Sequence, residues 1–179
     1  MPGDKIMSSN LADKAYEQGF EYEKNYGGCA QCAIGALYDV FPELTNKDVF
    51  KSATGLGGGV GLSNRGNCGA LTGVVMVLSN IYGRDLKDIA DPEKKRFLAY
   101  KLGKKMADKF LAEYGTVTCG EIQTKIMGRS FDMYKEFDAF IAAGGHSTAC
   151  TSVVGKAARW AAQLILEAKQ KGIDEVLKA

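Results

Sequence analysis

The chain has 179 residues, 25% of them charged, and a formal net charge of +2, the size and balance of one ordinary globular domain able to bury its own core. That weak charge excludes the electrostatic footprint of a nucleic-acid binder or of a protein held to an anionic membrane surface. Five cysteines and a single histidine, His146, are the unusual counts, and they exclude a zinc site built on several histidines.

The opening MPGDKIMSSNLADKA is polar and lacks the apolar run of a signal peptide. The longest apolar stretch, near Val74–Leu78, is far short of a membrane span. A soluble, cytoplasmic protein without membrane insertion is therefore expected. In that compartment cysteines point to metal or redox chemistry rather than to a disulfide framework, and an odd count forbids full intramolecular pairing.

Helical periodicity dominates in chain order. Residues 9–26 carry Leu11, Ala15, Tyr16, Phe20 and Tyr22 at three- and four-residue steps, with Ser9 or Asn10 as cap and Gly27-Gly28 as terminator. Ala30, Ala33, Ile34, Leu37 and Phe41 form one apolar stripe that Pro42 stops. Thr45-x-x-Asp48 resembles the start of a short helix to Thr54. The run GLGGGVGLSNRGNCG, with six glycines between Gly55 and Gly66, predicts a loop that bends sharply or approaches something closely. Residues 68–82 are apolar on nearly all sides, as in a central buried helix. Asp91-Pro92 opens a lysine-rich helix to Tyr114, whose lysines from Lys94 to Lys109 read as a solvated face. Thr118-Cys119-Gly120-Glu121 reads as a capping box for a helix to Met127. Residues 131–143 and a last long helix, capped by Ser147 or Thr148 and running through Ile165, complete the pattern. No stretch alternates as a strand, and nothing marks a domain boundary. Residues 1–179 thus read as a single all-α domain, a bundle of about seven helices with a glycine-rich loop.

Cys29, Cys68, Cys119 and Cys150 each fall at or near a predicted helix start, beside glycine or other small residues. A helix N-terminus offers free N–H groups and partial positive charge, which favour a thiolate and can donate to the sulfurs of a bound cluster. The competing reading is a buried cysteine serving as a small apolar residue, and it is favoured for Cys32, one turn after Cys29 in the apolar stripe. Cys29-x-x-Cys32 lacks the βαβ context of a thioredoxin motif, and Ala33 stands where covalent haem attachment needs histidine. A C-x-x-C-x-x-C ferredoxin run is absent. The glycine loop is not followed by the Gly-Lys-Ser/Thr of a phosphate cradle. Tens of residues separate the four dispersed cysteines, so only the fold could bring them together.

These segments resemble the C-GCAxxG-C-C family of redox-active proteins over roughly residues 25 to 165. The resemblance rests on Cys29-Ala30-Gln31, on the Gly57-Gly58-Gly59-Val60-Gly61 loop, on Cys68-Gly69-Ala70-Leu71-Thr72-Gly73, on Cys119-Gly120-Glu121-Ile122 and on Cys150. It implies a redox role, and a related domain of the split-Soret cytochrome c is associated with an iron–sulfur centre. Carried over, it makes Cys29, Cys68, Cys119 and Cys150 the candidate ligands and leaves Cys32 additional to the four.

The leading expectation is an electron-transfer protein holding an iron–sulfur cluster of about [2Fe–2S] size. Gly57, Gly58, Gly59 and Gly61 would roof the site, with Gly69 and Asn67 beside Cys68 completing the cofactor-binding set. Arg65 could add positive charge, and His146 could act as ligand or proton donor, although a solvated loop position is the favoured reading of both. One alternative is a metal-free thiol–disulfide oxidoreductase with Cys29 and Cys32 as redox thiols. Another is a structural Cys₄ zinc site in an interaction protein. The expected partner is a redox protein of unspecified identity, and a homodimer is compatible with such a site.

Overall fold

The computed structural model describes residues 2–178, and the side chains of residues 10–178. Among these residues there are nine α-helices and no strand, the all-α class the periodicity predicts. The helices are α1 (Pro2–Tyr26), α2 (Cys29–Val40), α3 (Lys47–Ser52), α4 (Gly69–Tyr82), α5 (Lys95–Tyr114), α6 (Cys119–Met127), α7 (Phe137–Ala142), α8 (Cys150–Lys171) and α9 (Ile173–Val176). Among the described residues no helix is long and apolar enough to cross a membrane.

The long helix α8 is the spine, packed along α1 and against α2 and α4. Its alanines 157, 158, 161 and 162 are buried, and small residues also form the stripe that α1 turns towards it: Ala12, Ala15 and Gly19. A Cβ on Gly155 would lie 2.9 Å from the Tyr16 ring, and one on Gly19 would lie 3.2 Å from the Val154 carbonyl oxygen, so the two helices approach at backbone distance. The apolar face of α1 is therefore this small-residue stripe, while Leu11, Tyr16, Phe20 and Tyr22 are only half-buried at its sides. The next position along the stripe, one turn after Gly19, is Glu23.

Helix α4 packs against α2, α5 and α8 and buries Leu71, Val74, Val77 and Leu78. Val75, Met76 and Ile81 remain half-buried, so it is covered on most but not all sides. A second, smaller apolar cluster of Phe131, Met133 and Phe140 lies under the segment around α7.

Helix boundaries depart from the sequence reading where side chains compete for backbone groups. Helix α1 runs through Ser9 and Asn10, so neither caps it. Asn46, not Thr45, caps α3, its Oδ1 accepting from the N–H groups of Asp48 and Val49. Helix α5 starts at Lys95 rather than after Asp91, yet the buried Asp91 carboxylate still serves it, accepting from the N–H groups of Lys95 and Arg96 at 2.7 and 3.1 Å. Thr118 makes no side-chain cap for α6, because Glu121 is bound instead by the Thr116 hydroxyl. Residues 131–136 form turns rather than helix, with Asp132 Oδ1 accepting from Tyr134 N–H and Glu136 accepting from Asp132 N–H. A π-helical turn, Gly145–Ala149, leads into α8, and neither Ser147 nor Thr148 caps that helix.

Candidate functional site

Four cysteines stand at helix starts. Cys29 is the first residue of α2, Cys68 the cap of α4, Cys119 the first residue of α6 and Cys150 the first residue of α8. Local geometry fixes each position. Gly27 and Gly28, at φ 65° and 86°, take the left-handed conformation that lets α1 end and α2 begin two residues later. An isolated antiparallel bridge joins Asn67 to Thr118. Through it Cys68 N–H donates to the Val117 carbonyl at 2.8 Å and Cys119 N–H to the Gly66 carbonyl at 2.9 Å. Two cysteines fifty-one positions apart are thereby set side by side.

The glycines of the signature act through close approach. A Cβ on Gly69 would lie 2.3 Å from the Cys29 sulfur, and one on Gly73 would lie 2.3 Å from the Ala30 carbonyl oxygen. These two glycines, one helical turn apart on α4, let the start of α2 rest directly on the helix backbone. A Cβ on Gly59 would lie 2.9 Å from the Cys119 Cβ. Gly58, Gly59, Val60, Gly61 and Leu62 form a left-handed run with φ between 57° and 70°. Bonds from Leu62 N–H to Gly57 O (3.0 Å) and from Asn64 N–H to Gly58 O (2.8 Å) close it. Val60 is strained there, since a β-branched residue rarely adopts positive φ.

The four cysteines line one cavity of about 270 Å³. Of the predicted roof, Gly57 and Gly58 line it, and the N–H groups of Gly58 and Ala30 act to favour the Cys29 thiolate. Gly59, Gly61, Asn67 and Gly69 do not line it: Gly61 and Asn67 are exposed, while Gly59 and Gly69 back onto Cys119 and Cys29 from behind. Arg65 is also exposed. Cys32 lies outside the cavity, its thiol donating to the Gly27 carbonyl at 2.9 Å, in a separate groove with Tyr22 and Phe50. The structure thus does not pair Cys29 with Cys32 at one cavity. All five cysteines are free thiols.

The remaining wall is mostly apolar, including Leu62, Ile122, Met133, Phe137, Phe140 and Val153. Its polar members escaped the sequence reading except for His146. Gln123, one turn after Cys119, is held by Phe131 N–H on Oε1 (3.1 Å), and its Nε2 lies 3.3 Å from Asn64 Oδ1 and 3.9 Å from the Cys119 sulfur. Asn64 in turn donates to the Phe131 carbonyl. Glu23 lines the cavity with only 3% of its surface exposed. A carboxylate breaking a stripe of small buried residues was the signal that could have found it.

Electrostatics oppose the thiolates expected at helix starts. The N–H groups of Ala70 and Leu71 act downwards on Cys68, but burial outweighs them and pushes the thiol up to about 12. Burial likewise takes Cys119 up to about 12 and carries Cys29 and Cys150 upwards too, with added repulsion from neighbouring sulfurs and Glu23. The metal-free site therefore holds protonated thiols at neutral pH. Burial also raises Glu23 to about 7 and lowers His146, which is neutral at that pH.

The fold and site define an all-helical protein with a four-cysteine cavity. The model of the family described as "Putative redox-active protein (C_GCAxxG_C_C)" matches residues 28–164, well over half of the chain, and the chain belongs to that family. No curated protein and no solved structure matches it.

Proposed function

We propose that Cys29, Cys68, Cys119 and Cys150 hold a small iron–sulfur cluster in this cavity, and that the protein transfers electrons through it. The observation that carries this reading is the selection of sulfurs. The four cysteines at helix starts line one cavity, and the fifth lies outside it. Thiolates are the soft donors that iron–sulfur clusters take. A cavity of about 270 Å³, several times the roughly 30 Å³ share of one water, suits a group larger than one ion. The cavity's size favours a cluster over a structural zinc.

A bound cluster supplies one-electron redox chemistry. The chain's own part is to orient and shield. The N–H groups of Gly58 and Ala30 near Cys29, and of Ala70 and Leu71 near Cys68, stabilise those sulfurs as anions once their protons are gone. Ile122, Met133 and Phe140 keep water away from the sulfurs. The raised thiols weigh against thiol–disulfide exchange, which needs a ready thiolate.

The test is reconstitution without oxygen, followed by a visible spectrum with iron and sulfide analysis. Stoichiometric iron and sulfide with a charge-transfer spectrum are expected. A colourless protein without iron overturns the reading.

A further inference from the structure

Glu23 presents a problem that the four cysteines do not solve. It is 97% buried by the 3% exposure of its surface, yet Oε2 has no hydrogen-bond partner among the described residues. An unsatisfied buried carboxylate is costly, and the small residues at the preceding positions of its stripe show that packing alone does not call for it there. Among the described residues no lysine or arginine pairs with it. Among the described residues its one basic neighbour at ion-pair range is His146, with Nε2 3.6 Å from Oε1, too long for a hydrogen bond. Because burial keeps that imidazole neutral, it leaves the carboxylate uncompensated. Cys32 on α2 is a further neighbour, but its one thiol proton goes to the Gly27 carbonyl.

Aromatic rings surround this end of the cavity. Phe137, Phe140 and Tyr26 line it, with the Phe140 and Phe137 rings 5.2 and 5.9 Å from the His146 ring. Tyr26 is 79% exposed and Phe137 46%, so this part of the cavity reaches solvent. A carboxylate, π faces and a neutral nitrogen acceptor, without a cationic side chain among the lining residues, form a set that attracts cations and repels anions.

We propose that the Glu23–His146 end of the cavity binds a small organic ammonium ion. The ammonium group donates to Glu23 Oε2, its charge lies against the Phe137 and Phe140 rings, and its carbon body fills the apolar wall. The cavity's size limits that body to a few carbon atoms. Glu23 and His146 share the cavity with the four cysteines, so the inference is read out on iron-free protein, apart from the proposed redox role.

The full-length chain without added iron provides the test, whether or not a cluster forms. His146 is the sole histidine, so its imidazole gives one unambiguous NMR signal. Titration with n-propylammonium chloride is expected to shift that signal saturably in the millimolar range. Sodium propionate and sodium chloride should produce no saturable shift. Glu23→Gln should weaken propylammonium binding by about tenfold or more, the loss of one charge-assisted hydrogen bond. If Glu23→Gln does not fold, Phe137→Ala, at an exposed position, decides with a several-fold weakening. No saturable shift in the wild type overturns the proposal. So does equal binding of propionate, or unchanged binding in the variant that reads out.

Discussion

Gly69 leaves the Cys29 sulfur no room for a neighbour: one added carbon would sit 2.3 Å from it. The glycine of the Cys68-Gly69-Ala70 signature is thus the floor on which another cysteine's sulfur rests. Gly69→Ala is expected to push Cys29 off its position and destabilise the protein by about 1–3 kcal/mol, the usual cost of overpacking. Gly55→Ala, where nothing lies within 4 Å, should cost far less. Urea unfolding of the two variants checks this, and equal midpoints would contradict the packing argument.

The fifth cysteine supplies an internal control. Cys32 is buried outside the cavity and bonded to the Gly27 carbonyl. Cys32→Ser should leave iron content and the visible spectrum of reconstituted protein nearly unchanged. Serine at position 29, 68, 119 or 150 should lower both. A colourless Cys32→Ser protein of native stability would move Cys32 into the ligand set.

Helices were legible because their periodicity is local, and the four helix-start cysteines were legible because glycine or other small residues flank them. The convergence was not, since it depends on the Asn67–Thr118 bridge and on the approach of α2 to α4 through Gly69 and Gly73, contacts between residues far apart in sequence. The start of α3 was missed, and the capping side chain of α6 was misread although that helix spans the expected residues, because Asn46 and Thr116 took bonding roles assigned to Thr45 and Thr118. The state of the thiols was misread for a different reason. Helix starts favour thiolates, but the depth of burial that outweighs them exists only in the fold. Glu23 sits on the stripe that faces α8, and reading α1 by its larger side chains concealed it.

That carboxylate should make stability pH-dependent. Burial raises Glu23 from an ordinary 4.5 to about 7, so the folded state holds its proton more tightly than the unfolded state does. The stability this contributes is complete below about pH 4.5 and is lost as pH rises through about 7. Relative to the wild type, metal-free Glu23→Gln should therefore gain up to about 3 kcal/mol between pH 4.5 and pH 8, at roughly 1.4 kcal/mol per unit. Urea unfolding at both pH values measures the difference, and a constant gap between the two proteins would contradict the burial argument.

Raised thiols also predict slow chemistry. With Cys68 and Cys119 near 12 instead of 9, their thiolate fraction at pH 8 falls by about three orders of magnitude. Iodoacetamide should label both far more slowly in folded metal-free protein than after denaturation, as followed by peptide mass spectrometry. Rapid labelling in the folded state would favour a thiol-exchange protein instead.

Anomalous scattering at the iron edge, from crystals grown without oxygen after reconstitution, tests the central claim most directly. Iron peaks inside the cavity, in bonding range of the sulfurs of Cys29, Cys68, Cys119 and Cys150, are the predicted result. A cavity without iron, or a single peak that answers at the zinc edge, would contradict it.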